Sequence, residues 1–93
     1  MTTDVIRNET ASRFEATVDG HVCIADYRLH GDVMVMPHTV VPSALQGRGI
    51  AAALVRVALE WARAEGLKVE PLCSYVALYM RRHPETQDLL AQR

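Results

Sequence analysis

Polar and apolar positions along the chain change period once, near Pro42, and the change separates strand-like runs from helical ones. From Arg13 to Val18, Phe14, Ala16 and Val18 alternate with polar residues, the period-two pattern of a strand with one buried face. Asp19-Gly20 follows, a pair suited to the positive-φ positions of a type I′ turn, so His21 to Leu29 is expected to return antiparallel. His30-Gly31-Asp32 turns the chain again into Val33 to Val41, which completes a three-strand meander. Pro37 lies inside that third run and has no N–H to donate, so the strand is expected to bulge there or to lie at an edge. Residues 1–12 are polar apart from Val5-Ile6 and read either as a frayed leader or as a short first strand.

After Pro42 the period lengthens. Ile50, Ala51, Leu54, Ala58, Trp61 and Ala62 recur at helical spacing, with Arg56, Glu60, Arg63 and Glu65 turned outward. The pattern predicts a helix from Gly49 to Ala64, capped at its end by Gly66. Leu67 to Leu72 is expected to run parallel to Val33–Val41, since a strand-helix-strand connection makes a right-handed crossover. Ser74 is expected to cap a second helix, Tyr75 to Arg82, and Pro84 to open a last helical turn reaching Leu90. The fold class is therefore α/β of the α+β type. It is expected as one domain over residues 1–93, with a mixed, mostly antiparallel sheet of four to five strands, a helix crossover and a C-terminal helix.

Composition removes several functions. The 93 residues are 49% hydrophobic and 23% charged, and no apolar run approaches the roughly 20 residues that span a bilayer. A net charge of -1 argues against a nucleic-acid partner, because counterion release needs an excess of Lys and Arg on one face. The start Met1-Thr2-Thr3-Asp4 lacks the basic-then-apolar pattern of a secretory signal, so a cytoplasmic location is the default expectation; a monomer is the default for the oligomeric state. Cys23 and Cys73 read as free thiols, and the four histidines are too scattered to suggest a metal site.

Candidate chemistry begins at the turn Gln46-Gly47-Arg48-Gly49-Ile50-Ala51. It joins a strand to a helix through two glycines, leaving N–H groups unpaired at the positive end of the helix dipole. On spacing alone a phosphate site and a merely tight helix start both fit. The Gly-Lys-Ser/Thr ending of a P-loop is missing, and Ala52 stands where a dinucleotide motif has its third glycine. Cys73 precedes a helix N-terminus, which favours a reactive thiolate; a small buried residue is the other reading. Cys23, inside a strand-like run, reads as core. For Tyr79, a proton-donating phenol and an amphipathic packing residue both stand, and for His38 a base and a hydrogen-bonded structural residue both stand.

The turn resembles the coenzyme A pyrophosphate signature of the GNAT superfamily of N-acetyltransferases, Arg/Gln-x-x-Gly-x-Gly/Ala, matched by Gln46, Gly49 and Ala51. The order of elements from Phe14 onward is similar to that superfamily, and Ala77-Leu78-Tyr79 is similar to its Ala…Leu/Phe-Tyr element. His38-Thr39-Val40, Pro71-Leu72-Cys73-Ser74-Tyr75 and Arg82-His83-Pro84-Glu85 resemble its small single-domain branch with a candidate active-site cysteine.

The resemblance implies acetyl-CoA as cosubstrate and an amine as acceptor. Its pyrophosphate is expected on N–H groups of Gln46, Gly47, Arg48, Gly49, Ile50 and Ala51. Its pantetheine is expected along His38, Thr39 and Val40 in the gap between two splayed strands, with further contacts from Ser74 and Tyr79. Cys73, Tyr79 and His38 are the expected catalytic residues: an acetyl acceptor, the acid that returns a proton to the leaving sulfur, and the base for the amine. The superfamily often has a glutamate where this chain has Met34, Met36 and His38. It also inserts helices between its first strands, where this chain has Asp19-Gly20, so an open acceptor site suited to a peptide or protein amine is expected. The alternative is a module that binds acetyl-CoA or CoA without significant turnover.

Overall fold

The computed structural model describes residues 3–91. Within them β1 (Ile6–Asn8) pairs antiparallel with β2 (Arg13–Val18), so the leader does contain a first strand. β2 returns through Asp19 and Gly20, at φ 50° and 78°, into its antiparallel partner β3 (His21–Asp26). Then come β4 (Arg28–His30), β5 (Val33–Met36) and β6 (Thr39–Val40). A short 3-10 turn at Ser43–Leu45 leads to α1 (Ile50–Ala64), β7 (Lys68–Pro71), α2 (Ser74–Arg82) and a second 3-10 segment, Pro84–Leu89.

The expected meander is present, but its second and third runs are each divided. Two sheets result, with orders β1-β2-β3-β6 and β4-β5-β7. Register explains the division. Arg28 faces Val35 and Ala25 faces Thr39, so Asp26 and Tyr27 on one side oppose Met36, Pro37 and His38 on the other. The surplus residue is a bulge at the proline that cannot donate to the ladder. Across from it, the Tyr27 N–H leaves the hairpin and donates to the Ser12 carbonyl at 3.0 Å. The Tyr27 ring lies 5.4 Å from Phe14 and 5.6 Å from Trp61, which anchors the chain where it passes between sheets.

β5 therefore runs parallel to β7, Val33 to Met36 against Lys68 to Pro71, whereas β6 stays with β3. The two diverge beyond Met36, whose carbonyl accepts the Cys73 N–H at 3.0 Å. That bond marks the apex of the gap.

Helix α1 buries Ile50, Leu54, Val55, Ala58, Leu59 and Ala62, the face that the helical period set out, against β2 and β3. Phe14, Ala16, Cys23 and Ala25 meet it from the sheet. Each fully buried Leu or Val there contributes about 1.5–3 kcal/mol of transfer free energy. The other face of the four-stranded sheet is open: a cross-strand row of Ile6, Glu15, Ile24 and Val40 runs along it, with Val22 beside it. Ile6, Val22 and Val40 are 61%, 49% and 50% exposed. Among the described residues no helix is long and apolar enough to cross a membrane.

Candidate active site

The junction from β6 to α1 is built by backbone. Gly47 and Gly49 sit at φ 83° and 79°, a region that side-chain-bearing residues rarely adopt, and no heavy atom lies within 4 Å of a Cβ placed on either. Glycine is thus the residue this turn favours, and at the same time it leaves the outer side clear. Gly49 is the N-cap of α1, with no side-chain cap and no acidic residue in the first turn. Its carbonyl accepts the first helical bond, from the Ala53 N–H at 3.1 Å, so Ile50, Ala51 and Ala52 have no intrahelical acceptor for their N–H groups. The helix presents partial positive charge that its own sequence does not neutralise.

A cleft of about 530 Å³ opens against this turn. Thr39, Val40 and Val41 line one wall, Leu45 to Ala52 without Arg48 the second, and Tyr75 the end. It follows the free side of β6, which the strand order leaves at the edge of its sheet.

The second junction, from β7 to α2, carries a sulfur. Ser74 is the first residue of α2, and the cap position belongs to Cys73, whose carbonyl accepts the Ala77 N–H at 3.0 Å. The expectation that Ser74 caps this helix is corrected by that bond: the chain is already helical at Ser74. Cys73 is partly exposed, and its thiol donates to Thr39 Oγ1 at 3.6 Å, across the gap between the sheets. Burial pushes this thiol up. The Val76 N–H, the Thr39 hydroxyl and the N–H groups of Tyr75 and Thr39 outweigh burial and hold it below the ordinary cysteine range. Cys23 is buried in β3, where desolvation raises its thiol.

Tyr79 is not brought to the cleft. Its ring stacks on His83, with centroids 3.8 Å apart and planes 13° from parallel. It lines a separate hollow of about 480 Å³ with Arg56, Glu60, Arg63 and Glu85. The phenol that lines the cleft is Tyr75, one turn earlier. Burial raises both phenols, so each keeps its proton at neutral pH.

The remaining expected residues divide as follows. Thr39, Val40, Gln46, Gly47, Gly49, Ile50 and Ala51 line the cleft together. The Gln46 side chain donates to the Val41 carbonyl at 3.3 Å and holds the turn to the end of β6. Arg48 leans away and donates to Asp19 Oδ2 at 2.7 Å, which ties the turn to the β2–β3 hairpin. His38 sits in the bulge, bonded to Asp26 through its backbone N–H at 2.9 Å and its ring Nδ1 at 3.2 Å. Val41, Leu45, Ala52 and Tyr75 are lining residues that the sequence reading did not assign to the site. For Tyr75 there was a signal: a residue in the first turn after a strand faces the same mouth as the strand's end. Among the described residues, no group of three or more His, Cys, Asp or Glu side chains is placed to hold a metal ion.

The sheet is thus split at a bulge, with a glycine-made helix start beside β6 and the Cys73 thiol near the apex of the split. Residues 13–89 match the family model of the GCN5-related N-acetyl-transferase. Protein NATD1 of Mus musculus is 32% identical over 83 residues, covering 89% of this chain and 74% of the mouse protein. Protein NATD1 of Homo sapiens is 32% identical over the same length, covering 73% of the human protein. The solution structure of a GCN5-like protein from Staphylococcus aureus superposes with a TM-score of 0.76 over 99% of this chain and 91% of that one. At 22% identity that likeness bears on the fold alone. The chain belongs to the GCN5-related N-acetyltransferase family.

Proposed function

We propose that this domain transfers the acetyl group of acetyl-CoA to an exposed amine of a peptide or protein. The observation that carries the reading is the cleft, which joins the uncapped start of α1 to the edge of β6. Beyond β6, Thr39 Oγ1 meets Cys73 Sγ at 3.6 Å. The residues fit the coenzyme. The N–H groups of Ile50, Ala51 and Ala52, with the open flanks of Gly47 and Gly49, suit a pyrophosphate. The free edge of β6 suits an amide-bearing arm laid beside it as a strand, and its N–H groups suit the developing charge on an acyl oxygen.

When bound, acetyl-CoA supplies the activated thioester. Tyr75, kept protonated by burial, holds the proton that a leaving sulfur takes up. Cys73 supports a route through the enzyme, its thiolate favoured by N–H groups at the start of α2. Direct attack by the amine uses the same cleft. Acceptors reach the site from the open face of the four-stranded sheet, where Ile6, Val22 and Val40 offer apolar contact with no enclosing wall. Such a surface suits a chain with a projecting side chain better than a small molecule that needs burial.

Thermal unfolding with added acetyl-CoA, followed by thiol release with lysine peptides, tests the reading. At 100-fold excess over Kd the ligand adds about 2.7 kcal/mol, roughly 10 °C or more for a domain of this size. Stabilisation with turnover is the expected result. Stabilisation without turnover on any peptide identifies a binding module, and the absence of both effects overturns the coenzyme site.

A further inference from the structure

The bulge that splits the sheet also makes a carboxylate–imidazole pair on the open face of the four-stranded sheet. Asp26 and His38 are joined three times. The Asp26 N–H donates to the His38 carbonyl at 3.1 Å, the His38 N–H donates to Asp26 Oδ1 at 2.9 Å, and ring Nδ1 lies 3.2 Å from Asp26 Oδ2. An ionised carboxylate only accepts, so Nδ1 carries the hydrogen and, in the neutral ring, Nε2 carries the lone pair. The His38 side chain is 65% exposed, and the bond at Nδ1 leaves Nε2 free of it.

The face follows from the register. Ala25 and Thr39 form a cross-strand pair on the side covered by α1, where Ala25 is fully buried. Asp26 is the next residue along β3 and shares the open face with Ile24. The ring bonded to it therefore stands on the open face, while the Thr39 hydroxyl, one residue further on, meets Cys73 across the gap between the sheets. One peptide unit separates an imidazole on the acceptor side from the apex of the split on the coenzyme side. Met34 and Met36, the alternate positions upstream on the same run, are fully buried and carry no base. Among neighbours, Arg13 lies opposite Asp26 but its Nε is held by Glu15 at 2.6 Å.

We infer that Asp26 is a positioning residue: it fixes the His38 ring so that Nε2 faces the open side and takes the proton of an incoming ammonium group. This rests on the transferase reading given above. In the step, the N–H bond of the ammonium breaks and an Nε2–H bond forms. The freed lone pair forms the C–N bond to the acyl carbon as the C–S bond breaks. The sulfur leaves with the proton of Tyr75, which the nitrogen's second N–H proton restores, while the Asp26 carboxylate balances the imidazolium charge without taking its proton and Nε2 returns that proton to water.

Asp26→Asn separates the two duties of this carboxylate. The amide oxygen still accepts the His38 N–H and preserves the bulge. Its NH2 group then faces Nδ1 and favours the reverse tautomer, with the hydrogen on Nε2. Nitrogen-15 NMR of the imidazole should show hydrogen on Nδ1 in the parent and on Nε2 in D26N. Turnover with a lysine peptide should fall about tenfold in D26N, with the KM for acetyl-CoA unchanged, and at least as far in His38→Gln. The double variant should fall no further than H38Q alone, because Asp26 acts only through the ring. A parent ring protonated on Nε2 overturns the proposal without reference to any variant. So does a D26N protein with parental turnover. A parent that binds acetyl-CoA but acetylates no amine instead ends the transferase reading, and the inference with it.

Discussion

Two strand-to-helix junctions face each other across the split sheet, and they use the same electrostatics for different ends. At the start of α1 the cap is Gly49, which brings no side chain, so the helix dipole is left for an anion from outside. At the start of α2 the cap is Cys73, and N–H groups of Val76 and Tyr75 act on its own sulfur. A helix N-terminus is thus a binding site or a pKa device according to whether its cap residue carries an ionisable atom. The two caps also differ in backbone. Gly49 lies at φ 79°, in the left-handed region, while Cys73 at φ −71° is ordinary extended backbone that any residue adopts.

The strongest way to break the contrast is to give α1 an anionic cap of its own. Gly49→Asp should lower affinity for CoA at least about 100-fold and abolish thermal stabilisation, because the new carboxylate occupies the anion's place. Asp is among the residues that tolerate the left-handed region, so the variant should fold. Equal stabilisation of variant and parent by CoA would remove the turn from the site.

The cap at α2 should show itself as reactivity. Alkylation at neutral pH should label Cys73 tens of times faster than Cys23, and CoA should slow it. Rate follows thiolate fraction, so the Cys73 profile should rise with pH and reach half-maximum below the ordinary cysteine value, the direction set by a depressed thiol. Thr39→Val removes one of the groups that favour the thiolate, and should move that midpoint upward and slow neutral labelling by about threefold. Equal rates for the two thiols would make Cys73 a packing residue.

A smaller effect separates the tyrosines. Tyr75→Phe should reduce turnover about tenfold with little change in CoA affinity, while Tyr79→Phe, on the ring stacked with His83, should change turnover less than about twofold. The reverse ranking would return the proton-donor role to Tyr79.

The sequence carried those features that depend on local chemistry. Asp19-Gly20, the glycine turn and the helical stripe of α1 each follow from backbone preference or period, and each is found within a residue of its expected place. Pro37 announced a break in its strand for the same reason. What lay beyond reach depends on pairing. That β6 stays with β3 while β5 leaves with β7 is settled by a one-residue surplus across a hairpin, visible only once partners are known. The choice between Tyr75 and Tyr79 depends on how α2 is rolled over the sheet, and four residues along a helix change the facing by only about 40°. The Asp26–His38 pair needed the bulge itself, since the residues are twelve apart in the chain.

Pro37 and Pro42 bracket β6, and this has a consequence for solubility. An enzyme that keeps a strand edge free for an extended ligand also offers that edge to any other extended chain, the usual route to sheet-to-sheet aggregation. Here the exposed ladder is only Thr39–Val40, with a proline two positions before it and another two positions after, neither able to donate a hydrogen bond. An edge of that length is too short to template a neighbouring copy.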